Sequence, residues 1–127
     1  MDAATQTRFV LLRSFGYAFE GLAYILRTQR NARIELAVAI AAVALATWLG
    51  ITTVEWAVLV LTIAVVLALE WINTALELAV SLASPDRHPS AKAAKDVAAA
   101  SVLLAAAVSV LVGLLLFAPR ILAKLAP

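Results

Sequence analysis

The sequence contains no cysteine, a single histidine, four glycines and four prolines among 127 residues. Without cysteine there is no disulfide framework and no thiol chemistry. Charged residues make up 14% and the formal net charge is +2, too small a surplus to indicate a nucleic-acid partner. No GxxxxGK[ST] stretch is present, so a P-loop is excluded, and no HExxH or cysteine cluster suggests zinc. The lone histidine, His88, sits beside Pro89 in a loop, where a turn role is commoner than a base role. That placement also excludes a serine triad.

Apolar residues are abundant: they make up 65% of the chain, and mean hydropathy is +1.00. A soluble domain carries roughly half apolar residues. A soluble core of this size could not hide the excess, so lipid is the expected solvent. Three runs are almost free of charge: Leu36 to Val54 (19 residues), Trp56 to Leu76 (21 residues, with Glu70 its only charge) and Val97 to Pro119 (23 residues). Each matches one helical crossing, which takes about 20 residues. Alanine and leucine dominate all three and favour helix over strand. The fold expected is an all-α membrane protein, one integral membrane domain over 1–127. Its helices are expected at about 34–53, 55–83 and 92–119, after a surface helix at about 5–33. No signal peptide is expected, because Phe9 to Leu12 is too short for a signal's apolar core.

That N-terminal part mixes Phe9, Leu12, Tyr17, Phe19, Leu22, Tyr24 and Ile25 with Arg8, Arg13, Glu20, Arg27 and Arg30. Apolar residues at three- and four-residue steps, with aromatics and arginines, predict an amphipathic helix lying in the membrane interface. Basic residues set the topology. With the N-terminus in the cytoplasm, Arg8, Arg13, Arg27, Arg30, Arg33, Arg87, Lys92 and Lys95 lie inside, and only Arg120 and Lys124 outside.

Against this background the stretch EWINTALELAV, Glu70 to Val80, stands out. Glu70, Asn73 and Glu77 are spaced i, i+3 and i+7, which brings them within about 60° of one another on a helix. They form a polar stripe running from inside the apolar layer to its cytoplasmic edge. Lys95 and Asp96 open the third span at the same depth, and Arg27, Gln29 and Arg30 precede the first. A carboxylate inside a span costs about 2.5–3.5 kcal/mol on insertion scales, so Glu70 requires a role. A proton acceptor, a metal ligand and a transport site all fit; helix pairing near the interface is the non-functional reading. Carboxylates together with phosphate oxygens suit Mg²⁺, and lysine and arginine neutralise phosphate. Desolvation makes a carboxylate a better proton acceptor for an alcohol. These parts suit phosphoryl transfer from ATP to a lipid hydroxyl.

EWINTALELAV and KAAKDVAAASVLL resemble the signatures of the small bacterial membrane kinases, the prokaryotic diacylglycerol kinases and undecaprenol kinases. Those families read close to E-x-x-N-(S/T)-A-(I/L)-E in the second span and A-K-D at the third. FGYAFEGLAYILRTQRNARIE resembles the undecaprenol kinase branch in particular. The likeness runs from about Arg13 to Phe117. It implies a homotrimer of three-span protomers in the bacterial inner membrane, with ATP as co-substrate, Mg²⁺ as cofactor and a cytoplasmic active site. It implies Glu70 as catalytic base, Asn73 as a positioning group, and Glu77 as the carboxylate for metal and ATP. Lys95, Asp96 and Tyr17 would bind ATP, and Asp86, Arg87 and His88 match a loop that touches nucleotide. Two positions depart from the pattern. Gln29 stands where many relatives carry a second metal-binding glutamate, so Gln29 would meet metal and ATP with an uncharged oxygen. Ser81 stands where many carry an acid.

A proton-coupled transporter is the alternative of another class. Its site belongs near the midplane, whereas these charges gather at one face. A purely structural membrane protein would leave the polar set without a purpose.

Overall fold

The computed structural model describes residues 3–84 and 88–126, and everything regular in it is helical. Four helices follow one another: α1 Ala3–Thr28, α2 Arg30–Leu49, α3 Thr53–Ala83 and α4 Pro89–Leu125. Residues 1–30 form one unit and residues 31–127 a second.

In the first unit, α1 closes at Thr28 rather than running to residue 33. The Thr28 hydroxyl donates to the Tyr24 carbonyl at 2.8 Å, a back-bond that competes with continued helix. Gln29, the single residue between α1 and α2, donates its N–H to the Ile25 carbonyl at 2.8 Å. Phe15, Tyr17 and Phe19 are all exposed along α1.

In the second unit α2, α3 and α4 are each long and apolar enough to cross a membrane. The protein is an all-α membrane protein. Its exterior agrees: Val58, Leu61, Leu103, Leu114 and Leu115 are exposed, and α4 buries no residue fully. Water would not tolerate such a surface. At 1.5 Å per residue α3 is about 47 Å long and α4 about 56 Å, against a hydrocarbon layer of about 30 Å. Both helices therefore outrun the apolar layer.

The turn between α2 and α3 follows from local chemistry. Gly50 takes φ +66, the left-handed conformation that glycine adopts without cost. The Ile51 N–H reaches back to the Ala46 carbonyl at 3.4 Å and the Gly50 N–H to Thr47 at 3.3 Å, the paired bonds that close a helix C-terminus. Thr52 then caps α3. Its side chain accepts from the Glu55 N–H, and its own N–H donates to Glu55 Oε2 at 2.7 Å, a reciprocal capping box. Ile51, just before the cap, is buried with Ala46, Leu49 and Leu59, and Trp56, Phe117 and Ile121 pack against them. This core joins all three helices at the turn end.

α4 is longer than its apolar run at both ends. His88 caps it, Nδ1 accepting from the Ser90 N–H at 3.2 Å, with Pro89 in the first turn. At the far end the helix passes through Pro119, and side chains beyond the proline tie it to the turn. Arg120 Nε donates to Glu55 Oε1 at 3.0 Å, and Nη2 pairs with Oε2. Arg120 Nη1 donates to the Gly50 carbonyl at 3.3 Å. Lys124 Nζ donates to the Trp48 carbonyl at 2.8 Å and stands 4.2 Å from the Trp48 ring centroid, a cation–π contact.

Candidate functional site

The opposite end of the α3–α4 pair carries the polar stripe. α3 runs unbroken through it, so Glu70, Asn73 and Glu77 share one face. Glu70 lies about 26 Å along α3 from its start and Glu77 about 36 Å. With the hydrocarbon layer beginning near the Thr52 cap, Glu70 falls inside it and Glu77 just beyond.

Glu70 is 3% exposed, as is Thr74 one turn further on. The Thr74 hydroxyl is occupied by the Glu70 carbonyl at 3.0 Å, so threonine here satisfies backbone rather than the carboxylate. Asn73 Nδ2 donates to Glu77 Oε1 at 3.3 Å. That bond fixes the amide and aims Glu77 back along the stripe. Among the described residues Asn73 Oδ1 is buried and has no hydrogen-bond partner. Buried oxygens of this kind are few in native proteins and costly.

A fourth member was missed in the sequence: Glu35 of α2. Its Oε2 is the other buried side-chain oxygen lacking a partner among the described residues. Glu35 stands on α2, and Glu70 and Glu77 on α3. In the sequence Glu35 immediately precedes the first uncharged run and belongs to no spaced polar set. In the bundle it borders a cavity of about 370 Å³. Val38, Leu59, Ile63, Val110 and Phe117 also line that cavity, and Glu35 is its only charged lining residue. A hydrocarbon chain could occupy such a space, with the acid at its polar end.

Lys95 brings a cation from α4. Its Nζ donates to Ser81 Oγ at 3.0 Å, and Ser81 Oγ donates to the Glu77 carbonyl at 2.7 Å. Lys95 is thereby held one turn from Glu77. Asp96 points elsewhere: it forms an ion pair with Lys92 along its own helix. His88 is engaged through Nδ1 as the α4 cap. Asp86 and Arg87 lie outside the described residues. Tyr17 and Gln29 belong to the first unit, Tyr17 on the exposed surface of α1 and Gln29 half-buried at its end.

Among the described residues no group of three or more His, Cys, Asp or Glu side chains is arranged to hold a metal alone. Mg²⁺ carried with a nucleotide does not need one; one or two carboxylates beside the phosphates suffice. Glu77 and the orphaned Asn73 oxygen are donors of that hard type. The donor set fits Mg²⁺.

Fold and site together define a small multi-span helical membrane protein with a buried glutamate and a polar stripe toward one end of its second span. The chain belongs to the prokaryotic diacylglycerol kinase family, a family of lipid kinases; the family's model matches residues 16–117. It is 45% identical over 113 residues to a diacylglycerol kinase of Synechocystis, covering 88% of this chain and 65% of that one. It is 38% identical over 109 residues to the undecaprenol kinase of Bacillus subtilis, covering 86% of this chain and 89% of that one. A diacylglycerol kinase of Escherichia coli is 28% identical over 101 residues, 80% of this chain and 83% of its own. The chain therefore spans just under two thirds of the Synechocystis relative and most of the other two.

Proposed function

We propose that this protein transfers the γ-phosphoryl group of ATP to the hydroxyl of a membrane lipid alcohol, with undecaprenol as the preferred acceptor and diacylglycerol as the second. The observation that carries this is Glu70: a carboxylate 3% exposed, inside a span, in a kinase family. The similarity of the N-terminal stretch to undecaprenol kinases supports the choice of acceptor.

Chemically, the lipid oxygen attacks the γ-phosphorus, the bond from that phosphorus to the β–γ bridging oxygen breaks, and ADP leaves. Glu70 accepts the hydroxyl proton as the new bond forms. The lipid tail occupies the apolar cavity, and Glu35 meets its polar end. Asn73 orients the reacting groups through its buried amide. Lys95 binds phosphate as a point charge. Mg²⁺, held by Glu77 and Gln29 with the phosphates, would neutralise their negative charge. Tyr17, Gln29, Asp86, Arg87, His88 and Asp96 enter as nucleotide contacts on the strength of the family pattern. The assembly is a homotrimer in the bacterial inner membrane, with the N-terminus and the site facing the cytoplasm. The excess of basic residues at that face supports the orientation.

Purified protein in lipid, given labelled ATP, Mg²⁺ and the two acceptors side by side, tests this. Transfer to undecaprenol in excess of diacylglycerol is expected. Preference for diacylglycerol would overturn the acceptor, and transfer to neither would overturn the reaction.

A further inference from the structure

We propose that Ser81 is a positioning residue that tethers Lys95 without neutralising it, and so sets how tightly the nucleotide is held. The inference rests on the kinase reading and deepens it. Among the described residues the ion pairs are Lys92 with Asp96 and Arg120 with Glu55. Lys95 is in neither. Its bond is to a hydroxyl, Ser81 Oγ at 3.0 Å. That hydroxyl is itself held, because its proton goes to the Glu77 carbonyl at 2.7 Å. Ser81 therefore presents a lone pair to Lys95 from a fixed direction. The chain runs from the Lys95 ammonium through Ser81 to the backbone of Glu77.

The consequence is electrostatic. A hydroxyl fixes the ammonium but leaves its full charge to attract phosphate. A carboxylate at 81 would pair with Lys95 and compete with phosphate for it. The neighbouring acid cannot take that role, because Asp96 is engaged by Lys92 on the exposed face of α4. Lys92 thus also serves the arrangement by keeping Asp96 away from Lys95.

The test is a series of Ser81 variants measured for ATP-dependent transfer and for direct binding of a fluorescent ATP analogue, at low and high salt. Ser81 is exposed, so substitution disturbs no core. Ser81→Asp should raise KM for ATP by about two- to fivefold, the range of a partly solvated ion pair, with kcat little changed. High salt should shrink the difference. Ser81→Thr, which keeps the hydroxyl, should retain the parent KM. Lys95→Ala should raise KM by about tenfold or more, as for loss of a charged hydrogen bond, and Ser81→Asp should then add nothing. If Lys95→Ala weakens ATP but the Ser81 series keeps the parent KM, the tether is wrong while the kinase reading stands. If the parent protein neither binds the ATP analogue nor transfers phosphate, both fall.

Discussion

The two ends of the α3–α4 pair hold similar polar chemistry in opposite states. At the turn end Glu55 is fully used. It caps α3 through Thr52, and both its oxygens meet Arg120, whose third nitrogen donates to the Gly50 carbonyl. At the loop end Glu70 is buried within a span, and among the described residues Glu35 and Asn73 each keep a buried oxygen without a partner. A satisfied network stabilises a fold. An unsatisfied one costs stability and persists where a ligand completes it. The same residue type, glutamate on one helix, is structural at position 55 and, on the function proposed above, the proton acceptor at position 70.

This contrast can be broken from either side. The largest effect is expected from Glu70→Gln, which keeps shape and removes the proton acceptor. Transfer should fall by about 10²–10⁴-fold, while thermal unfolding stays at or above the parent value because a buried charge is gone. Next comes Glu77→Ala, which should lower transfer and also weaken binding of Mg²⁺ with ATP, read as a higher Mg²⁺ concentration for half-maximal rate. At the other end, Arg120→Ala should lower the thermal midpoint by several degrees and leave kcat within about twofold, the size of change that spares every transition-state contact. It removes the ion pair and leaves Glu55 with only its Thr52 bonds. The smallest effect belongs to Thr52→Ala, which loses the cap at a cost of about 1 kcal/mol and should leave the Mg²⁺ dependence untouched. Denaturation in detergent with an activity assay in parallel separates the two pairs. A variant at the turn end that lost activity without losing stability would erase the distinction.

Much of this could be read from residues alone. Three nearly uncharged runs announce three spanning helices, and the i, i+3, i+7 spacing places Glu70, Asn73 and Glu77 on one face, because helical geometry is local. The helix ends were less legible. α4 passes Pro119 because Arg120 and Lys124 grip a turn some 70 residues earlier in the chain, a long-range contact that no window of sequence contains. Glu35 is less legible for a related reason: the cavity it borders is walled by α2, α3 and α4 together, and only packing assembles it. Ser81 was noted as a lost acid. Its actual contact, a hydroxyl under Lys95, depends on how α3 and α4 are aligned.

The central claim is that the unsatisfied end performs chemistry and that Glu70 is its base. The most direct measurement compares parent protein and Glu70→Gln in lipid for ATP binding and for phosphate transfer to undecaprenol. The account predicts that the variant binds ATP as the parent does and transfers almost nothing. Near-parental transfer by Glu70→Gln would contradict it.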